Sequence, residues 1–269
     1  MRGAPKLGPL LVYWRGQRRM SQLALATEAN VSPRHVSFIE SGRANPSRDM
    51  VLLLANVLDV PLRERNRLLT AAGFAAAYRE SGMDEPELEV VRRTLEAILA
   101  HHRPFPAVVL DRAWSIVNAN DAAGRFFEFL LAGQTPPSPP NVLRLVFHPQ
   151  GLRPWISNWE EVAESLIQRV HREAVGNVID EDLQALIREV LGYPRVPERW
   201  RRVDYAASVL PVIPVCFERD GKRFSYFSTV TSLGTPLDVT AQEVRIECFY
   251  PVDDETRKLA VDLARASSG

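Results

Sequence analysis

Arg34, His35 and Ser37 stand in the stretch VSPRHVSFIESG, just behind Ser32-Pro33 and among the apolar residues Val36, Phe38 and Ile39. On a helix, Val36 and Ile39 face inward and the three polar residues face outward. A guanidinium donates to guanine or to phosphate, and an imidazole or a hydroxyl does either. Phe38 offers an apolar surface for a thymine methyl. Gln22 upstream carries an amide that reaches a phosphate, and Arg43, Asn45 and Ser47 downstream suit backbone oxygens. Together these groups suit double-stranded DNA, with bases read from one helix and phosphates gripped from its flanks.

Such a helix needs a frame that makes it protrude. Five short helices are expected over the first seventy-odd residues. Leu7 to Arg19 is the first, and Ser21 caps the second. Ser32 caps the third with Pro33 at its first position, and Gly42 ends it. Ser47 caps the fourth, and Pro61 opens a fifth that stops at Gly73. The tight turn EANVS sets the second and third helices at a steep angle. Charge agrees with a polyanion partner. Residues 1–80 carry twelve Lys and Arg against six Asp and Glu, while the remaining 189 carry 21 against 27, so a net +6 faces a net −6.

SQLALA, VSPRHVSFIESG, LANVLDVP and LLTAAG, with Pro46-Ser47 between them, resemble the Cro/phage-repressor or XRE family of helix-turn-helix regulators over about residues 7–73. The resemblance implies an ion pair between Arg15 on the first helix and Glu40 at the end of the third. Glu40 is thereby structural, since an acid facing phosphates would repel them.

Residues 77–86 contain Gly, Pro and acidic residues without periodicity and are read as a hinge between domains 1–76 and 87–269. PELEVVRRTLEAILAHHR is an amphipathic helix. FPAVVLD and WSIVNAN read as strands, helices follow, and SVLPVIPVCFERD, KRFSYFSTVTSL and EVRIECFYP read as three more strands. Asp220-Gly221 marks a hairpin, and Pro211 and Pro214 make the strand before it irregular. The expected fold is an all-α five-helix domain followed by an α+β domain, a five-stranded antiparallel sheet with helices on one face.

The second domain carries no phosphate loop, nucleophile elbow or zinc-protease motif, so it is not expected to be an enzyme. Cys216 and Cys248 fit neither a disulfide framework nor a zinc site, and no metal is expected. No apolar run approaches membrane-spanning length, and the N-terminus does not read as a signal peptide, so a cytoplasmic location is expected. Aromatic residues are dense, and a sheet under helices can enclose an apolar pocket. FHPQGLRPWISNW places His148 and Arg153 among Trp155, Ile156 and Trp159, a cation beside aromatics suited to a carboxylate with an apolar tail. Phe127, Phe217 and Phe227 complete the candidate walls.

HHRPFPAVVLDRAWSIVNANDAA, NVLRLVFHPQGLRPWISNWEEVA and YPRVP resemble the MmyB-like transcription regulators, in which an XRE-type head precedes a PAS-like ligand-binding domain. The resemblance implies a five-stranded PAS-like sheet and a small hydrophobic ligand of the fatty-acid kind. The expectation is a dimeric, operator-binding regulator that senses such a ligand and has no other cofactor. Two rivals stay open: a second domain that only dimerises or binds a protein, and an enzyme fused to a DNA-binding head.

Overall fold

The computed structural model describes residues 6–135, 138–176, 181–202 and 213–265. In chain order the elements are α1 (Leu7–Gln17), α2 (Gln22–Glu28), α3 (Pro33–Glu40), α4 (Arg48–Val57), α5 (Leu62–Ala71), α6 (Glu89–His101), β1 (Ala107–Leu110) and β2 (Ile116–Ala119). Then come α7 (Asp121–Leu131), α8 (Val142–Phe147), α9 (Trp159–Gly176), α10 (Glu181–Leu191), β3 (Val215–Arg219), β4 (Lys222–Ser232), α11 (Val239–Glu243), β5 (Arg245–Pro251) and α12 (Asp254–Arg265). The chain divides into two units. Met1–Gly82 and Thr235–Gln242 form the first, and Met83–Gly234 and Glu243–Gly269 form the second.

In the first unit the helix starts are set by local chemistry. Ser21, Ser32 and Ser47 each accept a hydrogen bond from the backbone N–H three residues on, and Pro33 opens α3. Asn30 takes a left-handed φ of +53° at the turn between α2 and α3, and Gly42 takes +72° behind α3. Leu25, Val36, Ile39, Leu54, Leu58, Leu68 and Leu69 fill the core. Gly8 is required where it stands, because a Cβ there would lie 2.1 Å from the Glu40 carbonyl oxygen. That close approach brings α1 against the end of α3.

Residues 235–242 were not foreseen as part of this unit. Asp238 accepts from the Ser81 N–H at 3.1 Å, Val239 N–H donates to Arg79 O at 2.8 Å, and Thr240 Oγ1 donates to Ser81 O at 2.7 Å. Gln242 Oε1 accepts from Leu62 N–H at 2.7 Å, satisfying a free donor at the start of α5 that Pro61 cannot cap. The segment 77–86, read as a hinge, is therefore shared. Its first residues are fastened by Asn66, whose Oδ1 accepts from Ala77 and Tyr78 N–H. From Met83 onward it belongs to the second unit.

The second unit is built on a five-stranded antiparallel sheet in the order β2-β1-β5-β4-β3. Asp220 and Gly221 both take positive φ, +52° and +70°, and close the β3–β4 hairpin. β3 begins directly after Pro214, while Pro211 lies outside the described residues. Most helices cover one face, where Val108, Phe217, Phe224 and Tyr226 join the main core. α6 is the exception to the expectation of helices on a single face. Its Leu95 and Leu99 pack with Ala107, Val109, Ile246 and Cys248 from the opposite face. Its apolar stripe needs a partner surface, and alternation gives the central strands one on each side.

Arg15 Nε and Nη2 donate to the two Glu40 carboxylate oxygens at 2.7 and 3.0 Å, and Gln22 Nε2 adds a third bond at 2.6 Å. The Glu40 side chain is only 4% exposed. Glu40→Ala would strand Arg15 in half-buried surroundings. The expected cost is about 3 kcal/mol, read as a lower midpoint for the first unit in urea denaturation of the full chain. An unchanged midpoint would contradict this role.

Candidate functional site

The outward face of α3 is the first site. Arg34 is exposed, His35 and Ser37 are half-buried, and Val36 and Ile39 are 1% exposed and hold the helix down. Arg43, Asn45 and Ser47 lie exposed in the loop that follows. Ser47 Oγ also accepts from Met50 N–H at 3.2 Å, so its hydroxyl caps α4 while keeping its own proton to donate. Phe38, half-buried on α3, lies beside two cations. The Arg34 guanidinium lies 5.0 Å from its ring centroid and that of Arg43 lies 5.9 Å away. The ring thus gathers two cations onto one surface. Gln22 donates one amide N–H to Glu40, which orients α2 against α3.

The second site is a cavity of about 170 Å³ inside the second unit. Well-packed interiors hold few voids larger than a water, so this space is more than a packing defect. Phe126, Phe127, Leu145, Val146, Ile156 and Phe217 form apolar walls. Phe126 is held edge-on by Phe217, Phe224 and Tyr226, with centroids 5.1, 5.3 and 5.5 Å away.

Four polar side chains interrupt those walls: Ser165 and Arg169 on α9, Ser228 on β4 and Glu247 on β5. Ser228 Oγ donates to Glu247 Oε1 at 2.6 Å. Burial pushes the Glu247 carboxyl above its ordinary pKa, and the Ser228 hydrogen bond, Arg169 and Arg245 pull against that rise. Glu173 stands between the two arginines. It accepts from Arg169 Nε at 3.1 Å and from Arg245 Nη1 at 2.7 Å. Trp114 lies against both guanidiniums, at 5.0 and 4.6 Å. It holds a left-handed φ of +65°, costly for a bulky residue, in a turn framed by Asp111, whose Oδ1 accepts from Ala113 and Ser115 N–H.

Of the expected ligand-contacting residues, the structure brings Phe127, Ile156 and Phe217 to the cavity wall. Arg153, Trp155, Trp159, His148 and Phe227 are elsewhere. Arg153 donates to Pro194 O at 2.6 Å and lies 3.8 Å over the Trp159 ring, in an open groove with Pro149 and Arg195. Burial, then Arg195, lowers its pKa. Trp159 Nε1 donates to Val146 O, Trp155 lies under Arg219, and His148 meets Tyr193 edge-on. Phe227 stacks on Tyr250 in another surface groove. The polar residues Ser165, Arg169, Ser228 and Glu247 were missed. The available signal was Glu247 itself, a carboxyl in the apolar run VRIECFY at an alternating position with Arg245 and Phe249.

Residues 91–261, more than half of the chain, match the family model described as the MmyB-like transcription regulator ligand binding domain. The chain belongs to the MmyB-like transcription regulators. Residues 11–65 match a helix-turn-helix model, so the family's ligand-binding domain follows a DNA-binding head of XRE type. A search of curated proteins finds no match. A solved structure titled "Structure of an RNA-binding Light-Oxygen-Voltage Receptor" aligns with 96% of this chain at 12% identity and a TM-score of 0.26. This MmyB-like regulator spans 60% of that chain, and a likeness so low carries no argument.

The burial of Glu247 has a consequence for stability. Its folded-state pKa is raised, so the folded chain holds this proton to higher pH than the unfolded chain does. Stability from this group is therefore full at low pH and falls as pH rises from the ordinary glutamate value of 4.5 through the folded pKa. Glu247→Gln keeps the shape and cannot ionise. Its melting temperature relative to the parent chain should rise between pH 4 and pH 8. A difference that is flat or falls across that range would contradict the burial argument.

Proposed function

We propose that this MmyB-like regulator binds an operator as a homodimer in the cytoplasm, and that its second unit senses a small apolar ligand of the fatty-acid class. The single observation that carries the DNA half is the composition of the outward face of α3. Arg34 is exposed and His35 and Ser37 are half-exposed beside the buried Val36 and Ile39, and the Phe38 ring lies near the Arg34 and Arg43 guanidiniums. In the proposed complex α3 enters the major groove. Arg34, with His35 and Ser37, meets base edges, and Arg43, Asn45 and Ser47 meet phosphates. Two-fold partners would present their α3 helices about 34 Å apart. Gln22 acts indirectly, by holding Glu40 and so the angle of α3.

The cavity supports the sensing half. Its walls are apolar and its few polar groups converge, the usual character of a small-molecule site. The strand order β2-β1-β5-β4-β3 supports reading the sheet as PAS-like. We read the unit as a sensor rather than an enzyme, since Arg169 and Arg245 are tied to Glu173. A route to the head is also present. β4 and β5 both line the cavity, and the segment between them, Thr235–Gln242, belongs to the DNA-binding unit. A ligand that binds one arrangement of these strands better than another shifts the head by that difference.

Arg34→Ala should weaken specific operator binding by about 1–3 kcal/mol, measured by fluorescence anisotropy at fixed salt on DNA selected from a random library. Equal affinities would remove Arg34 from the reading face.

A further inference from the structure

The polar end of the cavity has a charge balance that constrains its ligand. The cavity is lined by one cation and one acid among the described residues, Arg169 and Glu247. Behind them, Glu173 bridges Arg169 and Arg245. Arg245 is further engaged by the Asp111 and Arg112 carbonyl oxygens at 3.3 and 3.2 Å. Two arginines and two glutamates balance in charge when Glu247 is ionised, so a ligand carboxylate keeps that balance only if one proton is held with it. The neighbouring strands add no charge, since Glu247 pairs with Val108 on β1 and Val230 on β4. α6 packs on the other face of the sheet, against Ile246 and Cys248. A carboxylate entering here would find Glu247 facing it, Arg245 engaged by Glu173 and two carbonyl oxygens, and Arg169 held by Glu173 through its Nε.

Two carboxylates in one water-poor site do not both stay ionised. We propose that Glu247 is the head-group recognition residue of this cavity, taking a carboxylic-acid ligand as a carboxyl–carboxylate pair that holds one shared proton. The inference rests on the ligand-sensing reading above. The balance is simple: ligand carboxylate, Glu247 carboxylate and one proton from solvent give the bound pair, with no bond made or broken elsewhere. Ser228 keeps its hydrogen bond to Glu247 Oε1, which leaves Oε2 for the ligand. The buried Trp114 indole N–H, from another lining residue of the cavity, has no partner among the described residues. Burial, which already favours the protonated Glu247, works in the same direction.

The test is calorimetric titration of the full chain with octanoate and with 1-octanol from pH 6 to pH 9, in two buffers of different ionisation enthalpy. Octanoate binding should take up close to one proton at the upper end of that range, and its affinity should fall toward tenfold per pH unit there. The alcohol only donates to Glu247, so its affinity should change by less than about twofold. Glu247→Gln should bind octanoate with no pH dependence, its amide replacing the shared proton. The inference is overturned if the alcohol binds but octanoate binds without proton uptake, or does not bind at all. It is overturned equally if Glu247→Gln keeps the pH slope. If neither compound binds the folded chain, the sensing reading falls as well.

Discussion

β5 lies in the middle of the sheet, and its period of two determines what the rest of the second unit can do. Ile246 and Cys248 point to α6, while Arg245, Glu247 and Phe249 point to the cavity side. A slip of one residue would exchange the two sets, putting charge against Leu95 and Leu99 and apolar groups in the polar end of the cavity. Pairing on both edges, with β1 and with β4, prevents that slip. The strand thus serves a dry packing layer and a cavity wall at once.

The DNA-binding unit obeys a comparable division of labour. α3 is held by a buried carboxylate. Glu40 gathers Arg15 and Gln22, and Gly8 lets α1 come close enough for this to happen. Phe38 gathers two further cations on the outer side. The helix therefore carries one acid on its inner side, paired with Arg15 of α1, and one aromatic ring on its outer side, beside the Arg34 and Arg43 guanidiniums.

Features set by neighbours in the sequence were legible from it. The Ser21, Ser32 and Ser47 caps, Pro33, and the Asp220-Gly221 turn are local chemistry, and so were the element types they bound. Apart from the Arg15–Glu40 pair, which the family resemblance implies, side chains whose partners are distant were not legible. Nothing near Gln22 in the sequence shows that Glu40, eighteen residues on, takes one of its amide hydrogens. Arg153 was read as a head-group cation because aromatics flank it, yet its acceptor is Pro194 O, forty-one residues away. Phe227 has the right type and the wrong parity, since Tyr226 takes the core position beside it. The segment 235–242 carries no local sign of where it belongs. Asp238 and Gln242 find partners 157 and 180 residues earlier.

These two halves make one regulator only if occupancy of the cavity changes what α3 does. The strands that line the cavity continue into the segment that caps α5, so the connection is made by the chain itself. The most direct measurement is the dissociation constant for a selected operator at fixed salt, with and without saturating octanoate, on the full chain. A coupled sensor predicts a shift of about fivefold or more, with a matching shift in octanoate affinity when operator is bound first. Identical operator affinities with the cavity shown to be filled would contradict the account.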